Sequence, residues 1–407
     1  MYIKRHLEKT LTKAENMFGA ILVTGSRQVG KTTLLSKSKA TLPYVTLDDP
    51  IMLASAVSEP GTFFRVSPPP LVLDEIQYAP QLFPHIKMLL DTQGQKGQFF
   101  LSGSQQYQMM RNVSESLAGR IGILNLFGLS LRERYGIDSY LPFVPSGEYL
   151  EARKNCPAPL DYSSAWAIIH RGSLPAMTVD AVMDWQLFYS SYVRTYLERD
   201  VRDLAQVGDQ VKFLRFMTAS AAMTGQLLNQ ASLARDAGVS QPTAERWLSV
   251  LCASNLVYLL QPFHNNVIKR AVKTPKLYFL DTGLAAYLTR WSTTDVLQLG
   301  AMAGAFFESF VVSEILKGYA NDGVLDPPLY FFRDKEQNEI DLLIQRDQTL
   351  YPIEIKKSAD PRPADVKTFG VLDKMPGVTR GSGGLICLYE RPVPLLGEDM
   401  VIPLAYL

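Results

Sequence analysis

Gly25, Gly30, Lys31 and Thr32 stand in GSRQVGKTT, directly after the apolar run AILVT and directly before TTLLSKSKA. Two glycines bracketing four residues let a loop wind around phosphate with its N–H groups inward, and a helix that follows adds the partial positive charge of its N-terminus. In such a loop Lys31 meets the β and γ phosphates of ATP, Thr32 ligates Mg2+, and Thr33 joins the nucleotide contacts. Farther on, the apolar strand in PPPLVLDEIQ ends in Asp74 and Glu75. Asp74 can hold the Mg2+ water shell opposite Thr32 while Glu75 orients or deprotonates the attacking water, which favours hydrolysis over binding alone. The next strand, QFFLSGSQQ, ends at Ser102 and Ser104, either of which suits a γ-phosphate sensor as well as a plain turn. Arg120, in SLAGR, suits an arginine finger across a subunit boundary or an ordinary surface position.

A second set of reactive side chains lies near the other end. EIDLLIQRDQTLYPIEIKKS reads as two strands joined by a polar turn and carries Asp341, Glu354 and Lys356. Residues two apart on a strand share a face, so Glu354 and Lys356 point one way while Ile353 and Ile355 point the other. The hairpin can bring Asp341 next to Glu354, and Glu308 on the preceding helix, FFESFVVSEILK, offers a third carboxylate. Three carboxylates and a lysine suit phosphodiester hydrolysis, in which acids hold Mg2+ and a cation positions the nucleophile or steadies developing charge. The same residues also suit a solvent-exposed hairpin with cross-strand Glu/Lys pairs, worth ~0.2–1 kcal/mol each.

The elements that must position these groups follow from the patterning. Short apolar runs alternate with helix-like segments through residues 1–135, the rhythm of a parallel sheet with crossover helices. From 136 to about 180 the composition turns to Pro, Gly, Ser and Tyr, which reads as a long connection or partly ordered insertion. Helical spacing then resumes, with Trp185, Phe188, Tyr192 and Tyr196 on one packing face. Residues 226–260 give a helix, a turn at Gly238, a second helix capped by Ser240 with Pro242 in its first turn, and an apolar strand: a helix-turn-helix pattern. The last hundred or so residues give helix, three strands, helix, strand.

With 41 Lys and Arg against 40 Asp and Glu, the formal charge is only +1, so nucleic-acid contact requires a local patch. Gln241, Thr243 and Arg246 would face a major groove from the second helix, and Lys269, Arg270, Lys273 and Lys276 would contact phosphates. The alternative for the same segment is a lid or a protein-docking unit. Cys156, Cys252 and Cys387 have no paired spacing, and no stretch reaches the roughly 20 apolar residues of a membrane span, so a cytoplasmic location without membrane contact is expected.

SRQVGKTTLL, LVLDEIQ, LSGSQ, SLAGR, YVRTYLERDV and KTPKLYFLDTGLAAYL together resemble a family of prokaryotic AAA-type P-loop ATPases carrying a C-terminal domain similar to restriction endonucleases. The Glu308, Asp341, Glu354, Lys356 set is similar to the PD-(D/E)xK nuclease pattern, although no proline precedes Asp341. The resemblance implies an α/β protein in four parts: a parallel-sheet AAA-type ATPase at 1–135, a linker and helical lid at 136–225, a winged helix at 226–290, and a restriction-endonuclease-like α/β domain at 291–407. ATP and Mg2+ are the implied cofactors and DNA the implied partner, and a homo-oligomeric ring would suit sites formed between subunits. The expected function is a DNA-associated ATPase coupled to a Mg2+-dependent nuclease domain; the alternative is a regulatory switch or protein-remodelling ATPase whose nuclease-like domain is catalytically silent and docks a partner.

Overall fold

The computed structural model describes residues 2–103, 116–196, 209–263 and 273–407. Its N-terminal sheet holds β1 (Ala20–Thr24), β2 (Tyr44–Thr46), β3 (Leu71–Asp74), β4 (Phe99–Gly103) and β5 (Ile121–Asn125), all parallel, in the order β2-β3-β4-β1-β5. β1 is buried along its whole length because both of its neighbours and both of its faces are covered, which is why AILVT is continuously apolar rather than alternating. The parallel order brings the C-terminal ends of β1, β3 and β4 to one edge, where the glycine loop and Asp74 lie. Behind the loop, buried Arg5 donates to the carbonyls of Val29 (2.8 Å) and Phe127 (2.7 Å) and pairs with Glu133 at 3.0 Å.

Between residues 136 and about 180 the chain is a long connection that carries three short helices. Ser146 caps helix Gly147–Arg153, Asp161 caps Tyr162–Arg171 and Pro175 opens Pro175–Val179, so Ser146 and Pro175, part of the composition that suggested loops, are helix starts. Trp166 and Phe143 are fully buried there.

The middle of the chain stacks helices Gln210–Ala222, Gln230–Ala237 and Gln241–Ala253. Gly238 ends the second in a left-handed conformation, and Ser240 caps the third. The strands beside them are β6 (Gln226–Leu227), β7 (Val257–Pro262) and β8 (Lys276–Phe279), paired antiparallel in the order β6-β8-β7. β7 then pairs parallel with β9 (Leu329–Arg333), so this sheet runs unbroken into β10 (Glu339–Arg346), β11 (Thr349–Ile355), β12 (Thr379–Arg380), β13 (Gly384–Cys387), β14 (Val393–Leu396) and β15 (Asp399–Pro403). The helix expected after the three strands is a 3-10 helix, Pro363–Lys374, and β14 and β15 form a hairpin turning at Gly397 that the sequence reading did not include.

The long helix Ala303–Asn321 packs against β5, β8 and β11 and is buried on nearly every side. Its few polar residues are each spoken for: Ser309 meets Thr224 at 2.7 Å, Ser313 donates to the Leu280 carbonyl at 2.9 Å, and Lys317 donates to the Leu129 carbonyl at 3.1 Å. Glu314 accepts from the Leu131 N–H at 2.7 Å, tying this helix to the segment that follows β5.

Candidate active site

The glycine loop needs its first glycine for space as well as shape. Gly25 has a φ of 151°, and a Cβ there would lie 2.1 Å from the Leu126 carbonyl oxygen. Gly30, with a φ of 95°, starts helix Lys31–Ser38. The Lys31 ammonium donates to the Gly25 and Ser26 carbonyls at 2.9 and 2.8 Å, so it folds over its own loop. The Thr32 hydroxyl lies 3.1 and 3.0 Å from the two oxygens of Asp74. Thr33 follows on the exposed side of that helix.

Asp74 is only 4% exposed. Its Oδ1 also accepts from Ser102, and its Oδ2 accepts from the Tyr44 hydroxyl at 2.6 Å. Glu75 is held at a φ of 57°, a left-handed conformation that costs a non-glycine residue about 1–3 kcal/mol and recurs at functional sites. Its N–H donates to Ser102 at 3.3 Å, and its carboxylate accepts from Gln77. A threonine hydroxyl and a carboxylate oxygen, hard donors about 3 Å apart at a helix N-terminus, fit Mg2+ with its water shell. Arg120, partly exposed, is engaged by Asp91, and Ser104 lies outside the described residues. Tyr44 had no signal in the sequence beyond its place in the apolar run LPYVTLD.

The second set also converges. Continuing the register that pairs Leu342 with Ile353, Asp341 faces Glu354 across the two strands, and its carboxylate accepts from the Ile355 N–H at 2.9 Å. Glu308 reaches the same place from the long helix. One residue corrects the sequence reading: Lys276, expected to contact phosphate, is 3% exposed and sits among carboxylates. Its ammonium lies 3.1 Å from Glu308, 2.6 Å from Glu339 and 3.7 Å from Asp341. Tyr278, two residues along β8 and therefore on the same face, donates to Glu308 as well. The partners of Lys276 come from a helix and a strand far away in sequence, so the basic stretch around it gives no local sign of its burial.

Burial, reinforced by the Asp341 charge, pushes the Glu308 carboxyl up to about 7 and the Glu354 carboxyl up to about 8. Lys356 pairs with Glu354 and keeps a 44% exposed side chain. Among the described residues, no three His, Cys, Asp or Glu side chains are grouped so as to hold a metal ion. In the middle segment Gln241, Arg246 and Lys273 are exposed and Thr243 is half-buried, while Lys269 and Arg270 lie outside the described residues. No helix among the described residues is long and apolar enough to cross a membrane.

Residues 18–135 match the family described as AAA domain, residues 164–295 a domain of unknown function (DUF8612), and residues 303–407 another (DUF4143). An uncharacterized protein of Mycobacterium tuberculosis and one of Mycobacterium bovis are each 30% identical over 364 residues, covering 88% of this chain and 75% of theirs. The fold is similar to that of a Walker-type ATPase of Pyrococcus abyssi, at 14% identity and a TM-score of 0.45, over 70% of this chain and 96% of that one.

Proposed function

Because the chain belongs to the family of these mycobacterial proteins and carries an AAA-type P-loop ATPase domain at residues 18–135, we propose that it hydrolyses ATP and passes its nucleotide state to the middle segment and the C-terminal domain. The observation that carries the reading is the Thr32 hydroxyl set between both oxygens of Asp74 at the start of the helix that follows the glycine loop. Lys31 exchanges its two loop carbonyls for the β and γ phosphates, and the loop N–H groups receive the remaining phosphate charge. Thr32 and Asp74 would hold Mg2+, which supplies charge neutralisation on the phosphates. Glu75, released from Gln77, orients the attacking water and takes its proton.

For the rest of the chain, the three stacked helices and the β7–β8 pair have the element order of a winged helix, with Gln241 and Arg246 exposed on its third helix and Lys273 exposed just before β8. That supports DNA as the partner sensed by the ATPase. The Asp341, Glu354, Lys356 strand pair with Glu308 supports a PD-(D/E)xK-like domain. A second reading of that domain is favoured by Lys276: an ammonium already stands between Glu308, Glu339 and Asp341, as expected of a catalytically silent docking domain attached to a nucleotide switch.

ATP turnover measured with and without duplex, branched and single-stranded DNA separates these. Turnover that rises with DNA and falls back with salt supports the DNA-associated ATPase; turnover indifferent to DNA supports the switch. DNA cleavage in Mg2+ or Mn2+ that disappears in Lys356→Ala would establish the nuclease over the silent domain, and equal cleavage by both proteins would mark a contaminant.

A further inference from the structure

Asp74 is gripped by a residue outside every motif of the nucleotide site. Tyr44 lies on β2, whose parallel register sets Thr46 beside Asp74 and Tyr44 beside Val72. Residues two apart on a strand share a face, so Tyr44 and Thr46 flank the same side of the sheet as Asp74, with Val45 turned the other way. The tyrosine ring spans the distance between the two positions and delivers its hydroxyl to Asp74 Oδ2 at 2.6 Å.

A carboxylate has about four lone-pair positions. Ser102 occupies one on Oδ1 and Tyr44 one on Oδ2, while the single hydroxyl proton of Thr32 is shared between the two oxygens. The edge of Asp74 facing Thr32 is thereby left as the part able to accept from metal-bound water. We propose that Tyr44 is a positioning residue for Mg2+-nucleotide: with Ser102 it fixes the Asp74 carboxylate from the far side so that its Thr32 edge is presented to the metal's water shell. The inference rests on the ATPase reading above. A phenylalanine would keep the ring and lose the donor, and the 42% exposure of Tyr44 makes that exchange compatible with folding.

The test is Tyr44→Phe in the full chain, with binding of a fluorescent ATP analogue followed by anisotropy in Mg2+ and in EDTA, alongside a Mg2+ titration at fixed analogue. The expected result is affinity in Mg2+ weakened about ten-fold, the lower end of the loss typical of one hydrogen bond to a charged group, a Mg2+ midpoint moved to higher concentration, and unchanged affinity in EDTA. Equal affinity of the two proteins in Mg2+, or an equal loss in Mg2+ and EDTA, would overturn it. Binding by the wild type that is lost in Lys31→Ala shows the site itself to be right, so a null result with Tyr44→Phe then counts against the tyrosine alone. A wild type that binds no analogue in either condition overturns the inference together with the ATPase reading.

Discussion

The two carboxylate sites of this chain handle buried negative charge in opposite ways. At the nucleotide site the described partners of the Asp74 carboxylate are the neutral hydroxyls of Thr32, Tyr44 and Ser102, which orient a charge without cancelling it. In the C-terminal cluster Glu308, Glu339 and Asp341 surround the ammonium of Lys276, and Glu354 is paired with Lys356. Hydroxyls make a carboxylate ready for an incoming cation. An internal lysine supplies the cation in advance, and removing it would leave buried charge uncompensated. Similar residue types therefore give one site built for an exchangeable ligand and another already balanced by the chain itself.

The largest effect expected from this contrast is at the nucleotide site. Glu75→Gln should lower ATP turnover by about 10²–10⁴-fold, the usual contribution of a positioned base, with circular dichroism and nucleotide binding retained; unchanged turnover would remove Glu75 from the chemistry. Next comes Lys276→Met, which strips the ammonium from the acidic cluster and should cost about 3–5 kcal/mol in urea unfolding. If millimolar Mg2+ or Mn2+ restored that loss, the cluster would be a cation site after all and the contrast would fail.

A smaller effect should appear with pH in EDTA. The folded-state values of Glu308 and Glu354, about 7 and about 8, lie above the ordinary 4.5, so the folded protein holds protons that the unfolded chain releases. Their contribution is fully present below pH 4.5 and is lost as pH rises through 7 to 8. Melting temperature should therefore fall less between about pH 5 and 8.5 in Glu354→Gln than in the wild type. Parallel curves for the two proteins would show that Glu354 is already ionised throughout that range.

What the sequence disclosed depended on how local each arrangement is. The strand, glycine loop and helix around Lys31 are contiguous, and Asp74 is marked by the end of an apolar run, so spacing alone located them. The Asp341–Glu354 facing pair could be read because a hairpin has a period of two. Lys276 could not, since its environment is assembled from β8, β10 and the long helix, and a lysine in a basic stretch carries no local sign that it is buried. Tyr44 reaches Asp74 only because β2 and β3 are adjacent in the sheet, a fact of topology that no motif records. Between 136 and about 180, Ser146 and Pro175 belong to a composition that suggests irregular chain and yet begin short helices, and the β14–β15 hairpin is hidden because VPLLGEDMVIP lacks a strict alternation.

The unbroken sheet has a practical meaning for anyone dividing the gene. A fragment beginning at residue 291 or 303 would take β9 away from β7, leaving its backbone N–H and C=O groups unpaired along an open edge. It would also strip β5 and β8 from the helix Ala303–Asn321, baring apolar residues on the sides they now cover. Such a piece should precipitate when expressed alone, whereas a fragment that keeps β5 through β15 retains the strands that cover that helix.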